Sequence, residues 1–124
     1  MGLVGGLAVA APVLALSLPS LEALAKLERG RWRISESQSG AARSLCLADP
    51  AEFLQLEHRG VACSREVLAS EAGSVTVQYT CPGRGFGHTS VRVETPRLAR
   101  IDTQGLADGR PFSYRAEARK VGSC

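Results

Sequence analysis

Val75-Thr76-Val77-Gln78-Tyr79-Thr80-Cys81 carries an apolar side chain at every odd position from Val75 to Tyr79 and a polar one between. Period two is the pattern of a half-buried strand. The stretch from Val61 to Ala69 precedes it, and the polar, glycine-bearing Glu71-Ala72-Gly73-Ser74 lies between, so the two segments read as a hairpin whose turn centres near Ala72. In that register positions 63 and 81 face each other, and both are cysteines.

The alternation continues downstream. Val91 and Val93 oppose Arg92 and Glu94; Ala99, Ile101 and Thr103 oppose Arg100 and Asp102; Phe112, Tyr114, Ala116 and Ala118 oppose Ser113, Arg115 and Glu117. Upstream, Trp32 and Ile34 oppose Arg31 and Arg33. Asp108-Gly109 is a two-residue hairpin signal, Thr95-Pro96-Arg97 separates two further strands, and Pro82 to Gly87 reads as a glycine-rich connection. Connections this short enforce an antiparallel meander.

One helix breaks the pattern. Asp49 is placed to cap it, Pro50 suits its first turn, Glu52 completes a capping box, and Gly60 ends it. Phe53, Leu54 and Leu56 form its apolar face, and Leu45 and Leu47 lead into it. About nine residues are too few to hold a helix without packing. The expected fold is therefore α+β, mainly β: a curved antiparallel meander sheet, or a partly open barrel, packed on one short helix.

The chain has 124 residues, 44% of them hydrophobic and 22% charged, which excludes collagen-like, coiled-coil and wholly disordered chains and leaves room for one domain. Residues 2–18 contain no charged side chain. That run is short for a membrane span and suits an export signal, with Ala23 and Ala25 as an A-x-A site. The expected organisation is a signal peptide over 1–25, cut before Lys26, and a single domain over 26–124. An uncleaved anchor, or a segment packed on the domain, is the alternative. Removing Glu22 with the leader moves the formal charge from +3 to +4, and 13 of the 15 basic residues are Arg. Such modest basicity argues against a nucleic-acid partner.

Cys46, Cys63, Cys81 and Cys124 form an even set in a small exported domain, which reads as two disulfides. Their intervening gaps of 16, 17 and 42 residues do not resemble the close ligand pairs of a zinc site. The hairpin register favours Cys63 with Cys81, leaving Cys46 with Cys124; pairing Cys46 with Cys63 across the helix is the other option.

No catalytic, cofactor or metal residue is expected. The glycines of Gly83-Arg84-Gly85-Phe86-Gly87-His88 run into a strand and not into a helix that would present its N-terminus to a phosphate. Arg84 and His88 remain as a possible contact for a small anion or glycan. His58 reads as an ordinary helix-end residue favoured by the helix dipole. There is no G-x-S-x-G elbow, and Asp102 and Glu94 fall on the wet face of their strands. Arg92, Arg97, Arg100 and Arg115 are expected on one outer face, diluted by Glu94, Asp102 and Glu117.

Gly30-Arg31-Trp32 at the first strand, Cys46-Leu47 before the helix, Cys63, Tyr79-Thr80-Cys81, the glycine segment and the closing Arg119-Lys120-Val121-Gly122-Ser123-Cys124 together resemble the bacterial family called "domain of unknown function 3617". The likeness covers about Leu27 to Cys124. This chain has Tyr79 where many members place Trp. The resemblance implies an exported protein of a Gram-negative bacterium, periplasmic and disulfide-bonded, and carries no activity with it. The expected function is non-catalytic: a monomeric binding or structural protein of the cell envelope, whose partner is an envelope protein, a glycan or an apolar ligand, with no membrane anchor after cleavage. The alternatives are a small exported hydrolase using His88, or a protein-binding module, since Tyr-x-Cys followed by glycines is similar to periplasmic lysozyme-inhibitor barrels.

Overall fold

Seven strands, six of them expected from the sequence, pair into one antiparallel sheet. The computed structural model describes residues 2–10 and 20–124. The strands are β1 (Gly30–Glu36), β2 (Ala42–Leu47), β3 (Ser64–Ser70), β4 (Ser74–Cys81), β5 (Gly85–Thr95), β6 (Leu98–Ala107) and β7 (Arg110–Gly122). Their order in space is β2-β1-β7-β6-β5-β4-β3. The expected meander is thus β3 to β7, and the β1–β2 hairpin adds to its far side. The sheet stays open, because β2 and β3 each pair with one neighbour only.

Asp108 (φ 49°) and Gly109 (φ 81°) both take positive φ, as a two-residue turn between right-twisted strands requires. The glycine-rich connection is shorter than expected: the turn is Pro82 to Arg84, and Gly85 to Gly87 already lie in β5. A Cβ at Gly87 would overlap the ring of Tyr79, so the glycine there makes room for that ring.

The β3–β4 hairpin has the expected register, Ser64 facing Thr80 and Glu66 facing Gln78. A bulge between Val67 and Ala69 leaves Leu68 unpaired and 48% exposed. Both favoured disulfides form, Cys63–Cys81 beside this hairpin and Cys46–Cys124 between the end of β2 and the chain terminus.

Two expectations need correction. Residues Ala42–Leu47 are a strand: Leu45 and Leu47 are buried and alternate with exposed Ser44 and Cys46, a period of two masked by its nearness to the capping box. The segment after it, Pro50–His58, has the expected cap, with Asp49 accepting from Ala51 and Glu52 reaching back, but it is 3-10 and not α-helical. Gln55 at φ −141°, ψ 51° breaks it into two turns. The Gln55 amide donates to the carbonyls of His58 (2.8 Å) and Val61 (3.1 Å), replacing main-chain bonds that a regular helix would make.

This strap leaves the sheet at edge strand β2, crosses its apolar face, and re-enters at the opposite edge strand β3. Phe53, Leu54 and Leu56 beneath it meet Trp32, Ile34, Val75, Val77, Val91, Ala99, Ile101, Ala116 and Ala118 in one core. Trp32 and Phe53 pack edge to face at 5.2 Å, and the Trp32 indole N–H donates to the Glu28 carbonyl at 3.0 Å.

A second, shorter cover precedes β1. The 3-10 turn Glu22–Lys26 buries Ala23 and Leu24, with Leu27 following, against the same core. Leu24 is 2% exposed. The expected cut after Ala25 falls inside this turn, and a chain cut there lacks Ala23 and Leu24. Part of the apolar run, residues 11–18 with Pro12, lies outside the described residues.

Two stability predictions follow from these contacts. With separations of 78 and 18 residues, the Cys46–Cys124 bond is expected to contribute about 4.5 kcal/mol and Cys63–Cys81 about 3 kcal/mol. Urea unfolding of the paired Cys→Ser variants should show that ranking; a larger loss at Cys63–Cys81 would reverse it. Leu24→Ala is expected to cost about 2–5 kcal/mol, since it empties a buried site, and a loss below about 1 kcal/mol would separate the turn from the core.

Candidate functional site: the uncovered sheet face

The two faces of the sheet differ. Odd-numbered positions of β4, β5 and β6 point to the covered core, and even-numbered ones form the opposite face, which no described element overlies. The strand registers bring those positions into four rows. The first is Thr80, Phe86, Leu106 and Pro111; the second is Gln78, His88, Gln104 and Ser113. The third is Thr76, Ser90, Asp102 and Arg115; the fourth is Ser74, Arg92, Arg100 and Glu117.

Two half-open clefts of about 570 and 660 Å³ lie on this face and share Ser90, Asp102 and Arg115. Ser37 and Gln38, from the β1–β2 turn, wall one side, and Glu71 of the β3–β4 turn walls the other. The result is a polar trough on a rigid ladder. Within it the Thr76 and Ser90 hydroxyls hydrogen-bond at 2.8 Å, and Arg115 pairs with Asp102 at 3.2 Å. Arg100 is held by Glu94 (3.3 Å) and Glu117 (3.9 Å). Arg92 directly opposes Arg100 across the ladder and, among the described residues, pairs with no carboxylate.

The outer-face arginines Arg92, Arg100 and Arg115 therefore do converge, whereas Arg97 sits in the β5–β6 turn. The Arg84–His88 pairing expected from the glycine segment divides. His88 is half-buried in the trough between Gln78 and Gln104. Arg84 lies four residues earlier, in the β4–β5 turn. Its side chain is turned to Asp108 at 2.9 Å. Among the described residues, His88 hydrogen-bonds neither Asp102 nor Glu94. All four cysteine sulfurs are committed to disulfides, so none is a free thiolate.

His58 differs from the helix-end residue expected of it. It is 3% exposed, its Nε2 donates to the Arg84 carbonyl at 3.1 Å, and its Nδ1 accepts from the Tyr79 hydroxyl at 2.9 Å. Only this tautomer suits the network, because a carbonyl can only accept. The ring ties the strap's end to the β4–β5 turn. Next to it, Glu57 accepts from the Tyr114 hydroxyl at 2.6 Å and from Arg43 at 3.1 Å, tying the strap to β7 and β2. Sequence reasoning missed this cluster, since Arg43, Glu57 and His58, Tyr79 and Tyr114 come from distant segments and none breaks a local pattern.

No protein-family model matches the chain, nor does any curated protein or solved structure.

Burial, and then the negative charge of Glu57, push the Tyr79 hydroxyl from its ordinary 10.0 up to about 12. Tyr114 is raised too, by burial first and then by its hydrogen bond to Glu57. A raised tyrosine holds its proton in the folded chain where the unfolded chain releases it. The stabilisation is full below pH 10 and is lost as pH rises through about 12. Thermal unfolding between pH 9 and 12 should show a midpoint falling above pH 10, and Tyr79→Phe should flatten the fall; an unchanged slope in that variant would place the titration elsewhere.

Proposed function

We propose that this chain is an exported domain of the cell envelope, periplasmic or secreted, that works by binding and not by catalysis. The observation that carries the reading is the contrast between its two faces: one closed by a strap stapled at both ends, the other left bare, polar and held rigid by a continuous ladder. A sheet face ordered to this degree and left uncovered suits a recognition surface. Two disulfides in so small a domain suit an oxidising compartment, and no helix among the described residues is long and apolar enough to cross a membrane. The likeness to the exported four-cysteine family points the same way.

The binding reading is favoured over a hydrolase by the surroundings of His88. A general base is normally oriented by a hydrogen-bonded partner, and its neighbours in the row are two glutamines. The apolar residues 2–18 would serve as the export signal. Packing of Ala23, Leu24 and Leu27 supports a mature chain that retains them, with the leader ending before Leu21.

Expression of the full chain in a Gram-negative host tests this reading. The protein is expected in the periplasmic fraction, with no thiol reactive to alkylation and an N-terminus at or before Leu21. A reduced cytoplasmic product would overturn export, and a stable exported form starting at Lys26 would overturn the retained turn. Hydrolysis of envelope glycans that disappears in His88→Ala would overturn the non-catalytic reading.

A further inference from the structure

The uncovered face is chemically graded along β5, from the row of Phe86 beyond the clefts into the trough itself. Over the span from Phe86 to Arg92, about 20 Å of strand, the rows pass from apolar to neutral polar to cationic. Phe86 at one end is 47% exposed, a large aromatic face turned to solvent beside Leu106 and Pro111. The middle offers amides from Gln78 and Gln104, the His88 imidazole, the hydroxyls of Ser90, Ser113 and Thr76, and the mutually paired Asp102 and Arg115. The far end offers Arg92, whose guanidinium has no carboxylate partner among the described residues and whose nearest cross-strand neighbour is another arginine. Like charges placed opposite one another destabilise a sheet. Glu94 pairs with Arg100, and Glu117 with Arg100 and Arg119, which leaves Arg92 and, at the trough wall, Glu71 as the lining charges without an ion pair among the described residues.

We propose that the uncovered face binds an acidic oligosaccharide laid along β5, with a sugar ring on Phe86, ring hydroxyls on the amide and hydroxyl rows of the trough, and an anionic substituent on Arg92. The proposal rests on the binding reading above and names its ligand class. Each end of the gradient has a counterpart in that ligand. The C–H faces of a pyranose suit the electron-rich face of an exposed aromatic ring, and a carboxylate or sulfate suits the planar fork of an arginine. The middle rows exchange neutral hydrogen bonds with hydroxyl groups. An acidic peptide fits less well, because the main-chain groups of β4 to β7 are spent in the ladder and leave no edge for a peptide backbone to join.

Titration of the isotope-labelled, oxidised full domain with tetragalacturonate, a heparin tetrasaccharide, an uncharged galactose tetrasaccharide and tetraglutamate, followed by amide NMR, tests the proposal. Tetragalacturonate offers carboxylate alone and the heparin tetrasaccharide carboxylate with sulfate, so binding of the second and not the first assigns the anion to sulfate. At least one of them is expected to give saturable shifts confined to the rows of β4 to β7, weakened about tenfold or more by Arg92→Gln and several-fold by Phe86→Ser. Arg65→Gln, on edge strand β3 away from the trough, should leave binding unchanged. The uncharged sugar should bind more weakly and ignore Arg92→Gln. The proposal is overturned if neither acidic sugar binds, if tetraglutamate binds as tightly, or if Arg92→Gln has no effect. An exported, oxidised protein that binds none of the four would discard this ligand class and leave the envelope-domain reading standing.

Discussion

Everything in this fold depends on keeping a thin cover pressed onto the apolar face of a seven-stranded sheet. The cover consists of two 3-10 segments, Glu22–Lys26 and Pro50–His58, and segments that short do not persist in water by their own hydrogen bonds. Burial of Phe53, Leu54 and Leu56 supplies the attraction, and covalent geometry supplies the alignment. Cys46 lies just before the strap and Cys63 just after it, so each disulfide fixes one end of the crossing to a different side of the sheet. Polar ties add direction: Glu57 to Tyr114 and Arg43, and His58 to Tyr79 and the β4–β5 turn.

Concentrating the cover on one side frees the other. The positions that line the trough are set by the ladder registers of β4 to β7, which are continuous across the four rows. Side chains mounted on such a ladder are placed more accurately than side chains on loops. The loops contribute only walls, Ser37 and Gln38 on one side and Glu71 on the other.

Much of the architecture was legible because period-two alternation and turn chemistry agree along most of the chain. Asp108-Gly109 fixed a hairpin, and the spacing of Cys63 and Cys81 about Ala72 predicted a disulfide from register alone. The failures have physical causes. Leu45 and Leu47 were read only as the approach to a helix because the capping box at Asp49 is a strong local signal, while β2 shows only a short alternation. The strap's departure from an α-helix hinges on the Gln55 side chain finding carbonyls that a sequence does not reveal as neighbours. For the site, the outward direction of Arg92, Arg100 and Arg115 was readable within each strand. Their placement on one face with His88 was not, because it requires three ladder registers at once.

The bulge at Leu68 has a consequence for the way this protein shares a crowded compartment with itself. An open sheet exposes unpaired N–H and C=O groups along both outer strands, and a straight outer strand is a template on which another copy can grow. On β3 the register slips between Val67 and Ala69, and Arg65 and Glu66 precede the slip, so an incoming strand finds no uninterrupted row to pair with and meets charges of both signs. The irregularity that costs β3 some ladder order acts as protection against fibril-like stacking at that edge.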